Sequence, residues 1–411
     1  MTLVYSNRIV FGFTVICQQP DNETLADPDY YLSDSLNVAW MFTATAIGMI
    51  FGPMPLSLTQ GCDTRWLIVG YGAISIVSVL FYPLADSIGL WPALICRFLG
   101  GFSQGSQLHF SNDIVLRWTP KAEMSLFFSI MLAASQIGPL FTMILGGEMC
   151  TTSCLGWKAT YYVLAFFTFI STVSFRLLLH GRRFDEQTHK EPQCKTLGGV
   201  PYKSLLTDVT IWTSLIMFSG YYVGMIVYQQ YSPTFIKQVL NYSIRETGYF
   251  SAIPMIAAIV IKVGLGKLID FGFGMSDKWR LALPLVFLEA PSAAALFLTG
   301  YMDDRRLALG FNMLFASLHF FVPVICSRTI QIRAGQYSHF AMNINMIVAG
   351  IAQIIIPIGV HTAVPDNTRQ QWSHVFYFIA VLICLTSISY VFLTNARPAK
   401  WTKSTSKVLP A

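Results

Sequence analysis

Apolar residues run along this chain in long unbroken stretches rather than in alternation. A helix needs about 20 mostly apolar residues to cross a hydrocarbon core. Twelve stretches meet or approach that length, over about 3–19, 36–58, 66–85, 90–115, 125–146, 158–180, 210–235, 247–270, 280–300, 307–331, 338–360 and 372–394. None repeats apolar and polar residues with a period of two, which argues against the strands of a membrane barrel. The pattern predicts twelve transmembrane helices. The first starts almost at residue 1 and carries Arg8, and the fourth and tenth are long and contain polar residues. Residues 181–209 form the longest connection, polar and containing glycine and proline. They divide the chain into a six-helix unit (1–180), a linker (181–209), a second six-helix unit (210–396) and a tail (397–411).

Composition agrees with a bilayer as solvent. Of 411 residues, 54% are hydrophobic and only 12% charged, with a mean hydropathy of +0.53, whereas soluble domains carry roughly 25% charged residues. Only Met1 and Thr2 precede the first apolar stretch, so no signal peptide is expected. Lysine and arginine placement orients the chain. With the N-terminus in the cytoplasm, inside connections and tail hold 18 of the 27 Lys and Arg residues, and outside loops hold 6. The net charge of +6 then belongs to cytoplasmic loops, and no nucleic-acid partner is expected. Two sequons, at Asn22 and Asn241, fall on the outside as candidate glycosylation sites. "CTTSC" places Cys150 and Cys154 in a loop, where a short disulfide and two free thiols are both open. No zinc spacing or CxxC appears, so neither a metal nor a cofactor is expected.

Charges within spans carry most of the chemical information, because they usually face a cavity or a partner. Arg8, Arg97, Asp113, Lys262 and Glu289 are such residues, together with His109 and His319. Arg8 could snorkel to the nearby headgroups. Arg97 shares a helix face with Gly101 and Gln104, a small and polar surface suited to a cavity wall or a close helix contact. Two guanidinium groups in a water-filled pathway would attract an anion and grip a carboxylate or phosphate in forked pairs. Glu289 and His319 are candidate coupling residues. A mid-span carboxylate could bind H⁺ or Na⁺, or it could pair with Lys262 or another cation.

"GFSQG" (Gly101–Gly105) fits the nucleophile pattern G-x-S-x-G. That pattern requires a strand, a strained turn and a helix, and here no strand precedes Ser103. Gly101 and Gly105 instead form G-x-x-x-G, a spacing that lets membrane helices approach closely. "GMIFG" (Gly48, Gly52) and "GYYVG" (Gly220, Gly224) repeat it. An enzyme is not expected.

Several strings carry a family resemblance. "RFLGGFSQG" followed by "RWTPKAEMS" resembles the RFLQGxxEG…KWxPxxERS signature of the anion:cation symporter family, within the major facilitator superfamily. That family includes sialin and the vesicular glutamate and phosphate carriers. "GWKATYYVL", "VPYKSLLTD", "YSPTFIKQVLNYSIRETGYFSAIP", "AGQYSHFAMNINMIVAGIAQIIIPIGV" and "QQWSHVFYF" match further family segments, so the resemblance covers nearly the whole chain. It is similar to divergent invertebrate-type members. The resemblance implies an all-α polytopic protein of two six-helix bundles around a central cavity. It also implies alternating-access transport of organic anions or phosphate with H⁺ or Na⁺, and a monomer in a plasma, lysosomal or vesicular membrane. The family's helix 1 and helix 4 arginines fall on Arg8 and Arg97, which makes both expected substrate-binding residues.

The departures are specific. The helix 4 acid linked with proton coupling is Gln104 here, an uncharged cavity residue. The helix 7 arginine of glutamate carriers falls near Tyr221, which is read as lining the cavity and argues against glutamate as cargo. The gating motif of loop 2–3 is degraded, with Thr59 at the usual acid, while "GLGKLIDFGFG" keeps Lys267 and Asp270 as a second gating loop. The chain also begins inside the first helix, which is read as truncated. These departures also fit a rival reading, a non-transporting membrane protein with a receptor or regulatory role.

Overall fold

In a computed structural model the apolar stretches are helices. Residues 1–18, 30–33, 35–58, 64–120, 123–152, 156–178, 201–272 and 274–402 are described. Asn22, Cys154 and most of the linker lie outside them, as does the side chain of Cys150.

The helices of the first half are α1 (Thr2–Gln18), α2 (Ser35–Phe51, continued by Pro53–Leu58), α3 (Thr64–Leu80, bent by 45° into Tyr82–Ile88), α4 (Leu90–Gly105 and Gln107–Trp118), α5 (Met124–Thr152) and α6 (Trp157–Leu178). The second half holds α7 (Val209–Thr234), α8 (Ile244–Phe271), α9 (Asp277–Tyr301, with a π turn at Leu285–Glu289), α10 (Arg305–His319 and Val322–Ala334), α11 (Ser338–Ala363) and α12 (Arg369–Leu393). Most satisfy length and apolarity for a span, α10 and α11 as one run. The exceptions are α1, at 17 residues, and α4, which Ser106 interrupts.

Helix ends follow local chemistry. Asp208 caps α7 and Asp304 caps α10, each accepting two main-chain N–H groups. Reciprocal capping boxes start α8 (Ser243 with Glu246) and α12 (Thr368 with Gln371). Gly272, at φ 78°, ends α8 in the left-handed conformation that only glycine adopts without strain.

Packing shows a repeat. In the first half α1 packs on α5 and α6, α2 on α4, and α3 on α4 and α6. Each pairing recurs six helices later: α7 on α11 and α12, α8 on α10, and α9 on α10 and α12. These are two bundles of six, joined along two seams, α2–α11 and α5–α8, which the same relation exchanges. Their outer faces are strongly apolar. Trp91, Phe271, Phe287, Phe378 and Phe392 are each more than 65% exposed, a surface that suits lipid and not water.

Glycines set the closest approach, and they are those of the G-x-x-x-G pairs. A Cβ on Gly101 would strike the carbonyl of Thr45 on α2, and one on Gly105 the carbonyl of Met49. Reciprocally, Gly48 and Gly52 lie against the main chain of Phe98 and Phe102 on α4. Two such motifs thus mesh backbone to backbone. Ser103 lies on the same helix, fully buried, and donates to the Tyr71 carbonyl at 2.7 Å. Its hydroxyl makes this structural bond, and no His, Asp or Glu bonds it among the described residues.

Candidate functional site

The G-x-x-x-G contact of α2 and α4 fixes where Arg97 projects, about 14 Å along the axis from the break at Ser106. Arg97 is 5% exposed, and its Nη1 donates to the main-chain carbonyl of Arg8 at 2.8 Å. Its guanidinium lies over the Phe11 ring at 4.8 Å. Arg8, also 5% exposed, lies over the Tyr5 ring at 4.9 Å. Its Nη1 donates to Gln353 Oε1 on α11 at 2.9 Å and contacts Met49 Sδ at 3.3 Å. The structure thus brings the Arg97 side chain onto the main chain of Arg8.

Neither arginine has a carboxylate partner among the described residues. Both Nε atoms are buried and unpaired, and the two charges lie close enough to repel one another. Asp86, a buried acid of the same bundle, is committed elsewhere. It accepts the hydroxyls of Tyr30 at 2.8 Å and Tyr31 at 2.5 Å, where a short helical turn straps the outer end. Burial and then the Asp86 carboxylate push both phenols up. An ion moved into low dielectric costs several kcal/mol unless paired. Two guanidinium groups without a carboxylate partner among the described residues carry that cost, which an anion between them would offset.

Other expected residues lie elsewhere. Gln104 is buried but turns down its own helix, donating to Gln107, while its Oε1 has no partner. Tyr221 on α7 lies with its ring tilted against that of His319, centroids 5.2 Å apart. Glu289 does not pair with Lys262. It pairs with His319, Nδ1 to Oε1 at 2.8 Å, and the His319 Nε2 reaches the Tyr221 carbonyl at 3.1 Å. Gly224, from the third G-x-x-x-G pair, leaves the room that the imidazole occupies. Fully buried Lys262 instead crosses the α5–α8 seam to Gln136 Oε1 at 2.6 Å and the Leu132 carbonyl at 3.3 Å. Gln353 and Tyr5 escape sequence reasoning altogether. A glutamine in an apolar helix carries no signal of its own until α11 is packed against α1.

At the end assigned to the cytoplasm, the bundles are tied by hydrogen bonds. Asn112 on α4 donates to Ser338 at 3.1 Å and accepts from Gln331 at 3.0 Å, and His109 meets Asn343 at 3.1 Å. Asp270 at the end of α8 accepts the N–H groups of Ser125 (3.0 Å) and Leu126 (2.8 Å), an acid set against the N-terminus of α5. Lys267 is exposed and joins no ion pair among the described residues. Asn241 is exposed, at φ 55°.

Comparison with known proteins places this geometry. Human "Sialin" is 23% identical over 97% of this chain and 88% of its own length. The mouse "Probable small intestine urate exporter" is 24% identical over 88% and 77%. The fold matches the crystal structure of a D-xylose-proton symporter with a TM-score of 0.69, at 13% identity over 96% of both chains. The sequence profile of the Major Facilitator Superfamily matches residues 24–357. With twelve helices in two repeated bundles and a buried charged centre between them, the chain belongs to the Major Facilitator Superfamily of multi-pass membrane transporters.

Proposed function

We propose that this protein is a secondary active transporter of small anions, organic anions or phosphate, acting as a monomer by alternating access. One observation carries the substrate class: Arg8 and Arg97 are buried, Arg97 bonded to the Arg8 main chain, with no acid among the described residues to neutralise them. The guanidinium fork matches a carboxylate or phosphate in two parallel hydrogen bonds. Arg8 also bonds Gln353 across the interface of the bundles, so an anion taking that donor would bear directly on how the halves sit. The names of the relatives, which include a urate exporter and sodium-dependent phosphate transport proteins, support the same class.

Alternation would proceed by rocking about this central site. Asp270 against the α5 N-terminus and the Asn112–Ser338–Gln331 cluster act as the cytoplasmic gate, broken when that side opens. The unit boundaries follow the same scheme, with 1–180 and 210–396 as rocking bodies and 181–209 as their linker.

The test is counterflow in reconstituted vesicles, with inorganic phosphate, urate and a panel of monocarboxylates as probes. The wild type exchanges at least one of them, and Arg97→Ala exchanges none. Unchanged exchange in Arg97→Ala would remove the anion site. A wild type without flux for any probe would favour a receptor or regulatory role.

A further inference from the structure

The Glu289–His319 pair stands apart from the arginines, and its hydrogen bonds count protons. His319 is fully buried and Glu289 is 1% exposed. The Nε2 of His319 faces the Tyr221 carbonyl at 3.1 Å, and a carbonyl only accepts, so Nε2 carries hydrogen. Nδ1 faces Glu289 Oε1 at 2.8 Å, a distance at which two lone pairs would repel, so a proton lies between them. Imidazolium facing carboxylate, and neutral imidazole facing carboxylic acid, are two drawings of that one composition. The pair holds one proton more than a neutral histidine beside a carboxylate. Without that proton the neutral imidazole keeps its one hydrogen on Nδ1, still donating to the carboxylate, and the bare Nε2 confronts the Tyr221 carbonyl of α7, so that contact breaks.

We propose that Glu289 and His319 together bind the single proton that this transporter moves with its anion, and that losing it unties α10 from α7. This inference rests on the anion-transport reading and names its coupling ion and site. The donors present favour a proton over a metal cation. Hard cations need several oxygen ligands, and here the imidazole occupies both the carboxylate Oε1 and the nearest carbonyl.

A ladder of contacts leads to the pair from the outer side. Ser232 on α7 meets Asn312 on α10, Tyr228 meets Phe315 one turn deeper, and Gly224 meets His319 after another turn. Between these rungs lies a cavity of about 10 Å³, the space of about one water. The Tyr228 hydroxyl beside it is buried and unpaired, a polar group that a water would satisfy. On the other side the pair communicates with the anion site. The Tyr221 ring lies beside that of His319, on the same helix to which Tyr5, whose ring underlies Arg8, donates a hydrogen bond at Gln229 Oε1 (3.3 Å). The other titratable groups facing Glu289 are Cys326 of α10 and Cys384 of α12. Glu289 Oε2 remains buried and without a partner.

Vesicles carrying the full-length protein test this with urate or a monocarboxylate as the probe anion. With an inward proton gradient of one pH unit, one proton per monovalent anion gives about tenfold accumulation. Wild type should reach that level, while Glu289→Gln should only equilibrate the anion and keep its counterflow. Accumulation by Glu289→Gln equal to wild type would overturn the proposal. If that variant does not fold, a pH dye inside wild-type vesicles still reports whether anion entry brings protons with it. Counterflow without proton entry, or accumulation driven by a Na⁺ gradient at constant pH, would overturn the proton site and leave the anion site standing. Absence of counterflow for every anion would overturn the anion reading itself.

Discussion

The two bundles share one packing scheme and differ in their buried charges. In α1–α6, Arg97 bonds the main chain of Arg8, and neither arginine has an acid partner among the described residues. In α7–α12, Glu289 and His319 neutralise each other, with no arginine or lysine joined to them among the described residues. The helices that carry Arg97 and His319 are related by the repeat, and both break near mid-length, at Ser106 in α4 and at Phe320–Phe321 in α10. An uncompensated pair of cations is completed by an anion from outside. A self-compensated acid–base pair changes only by gaining or losing a proton. One frame can thus hold two different ligands without mixing their sites.

The strongest way to break the comparison is to exchange losses between the halves. Arg97→Ala should lower counterflow by about thirtyfold or more, since removing one member of a buried charge pair costs about 2–5 kcal/mol. Glu289→Gln should leave counterflow intact, and similar losses in both would mean that the two sites are one. Arg97→Lys should recover only part of the rate, because a lysine cannot form the fork.

Packing offers a second comparison, read by thermal unfolding in detergent. Gly101→Val in the first bundle and Gly224→Val in the second should each destabilise by about 1–3 kcal/mol, as overpacking does. The first would separate α2 from α4, and the second would displace His319. Gly70→Ala, with nothing within 4 Å of an added Cβ, should change little. Only Gly224→Val should also alter the pH dependence of accumulation.

The smallest effect is expected at the seam. Asp270→Asn removes the charge facing the α5 N-terminus, worth about 1 kcal/mol. Spin labels across the cytoplasmic rim should then show a larger fraction of widely separated pairs. An unchanged distance distribution would mean that Asp270 is not part of the gate.

Much of the fold was legible in the chain. Unbroken apolar stretches of about 20 residues have few physical outcomes other than spanning helices, because hydrocarbon leaves no partner for unpaired main-chain groups. The role of G-x-x-x-G was legible for the same reason, although which motif meets which was not. Arg97 stood out because a guanidinium is costly in an apolar span wherever the helix packs. Glu289 stood out on the same ground, but its partner did not. Lys262 was the obvious cation, yet it points into the α5–α8 seam toward Gln136, 126 positions away in the chain. Gln104 occupies the expected helix, but its amide turns to Gln107 beside the break at Ser106.

The sequence by itself determined the solvent, the number of spans, their division into two sixes and the presence of buried charge, because these follow from hydrophobicity summed over neighbouring residues. Only the tertiary structure decided the pairings: Arg97 to the Arg8 carbonyl, Arg8 to Gln353 across 345 positions, and Glu289 to His319. A hydrogen bond forms over about 3 Å, and its partner is set by the rotation and register of two packed helices. Local hydrophobicity specifies neither.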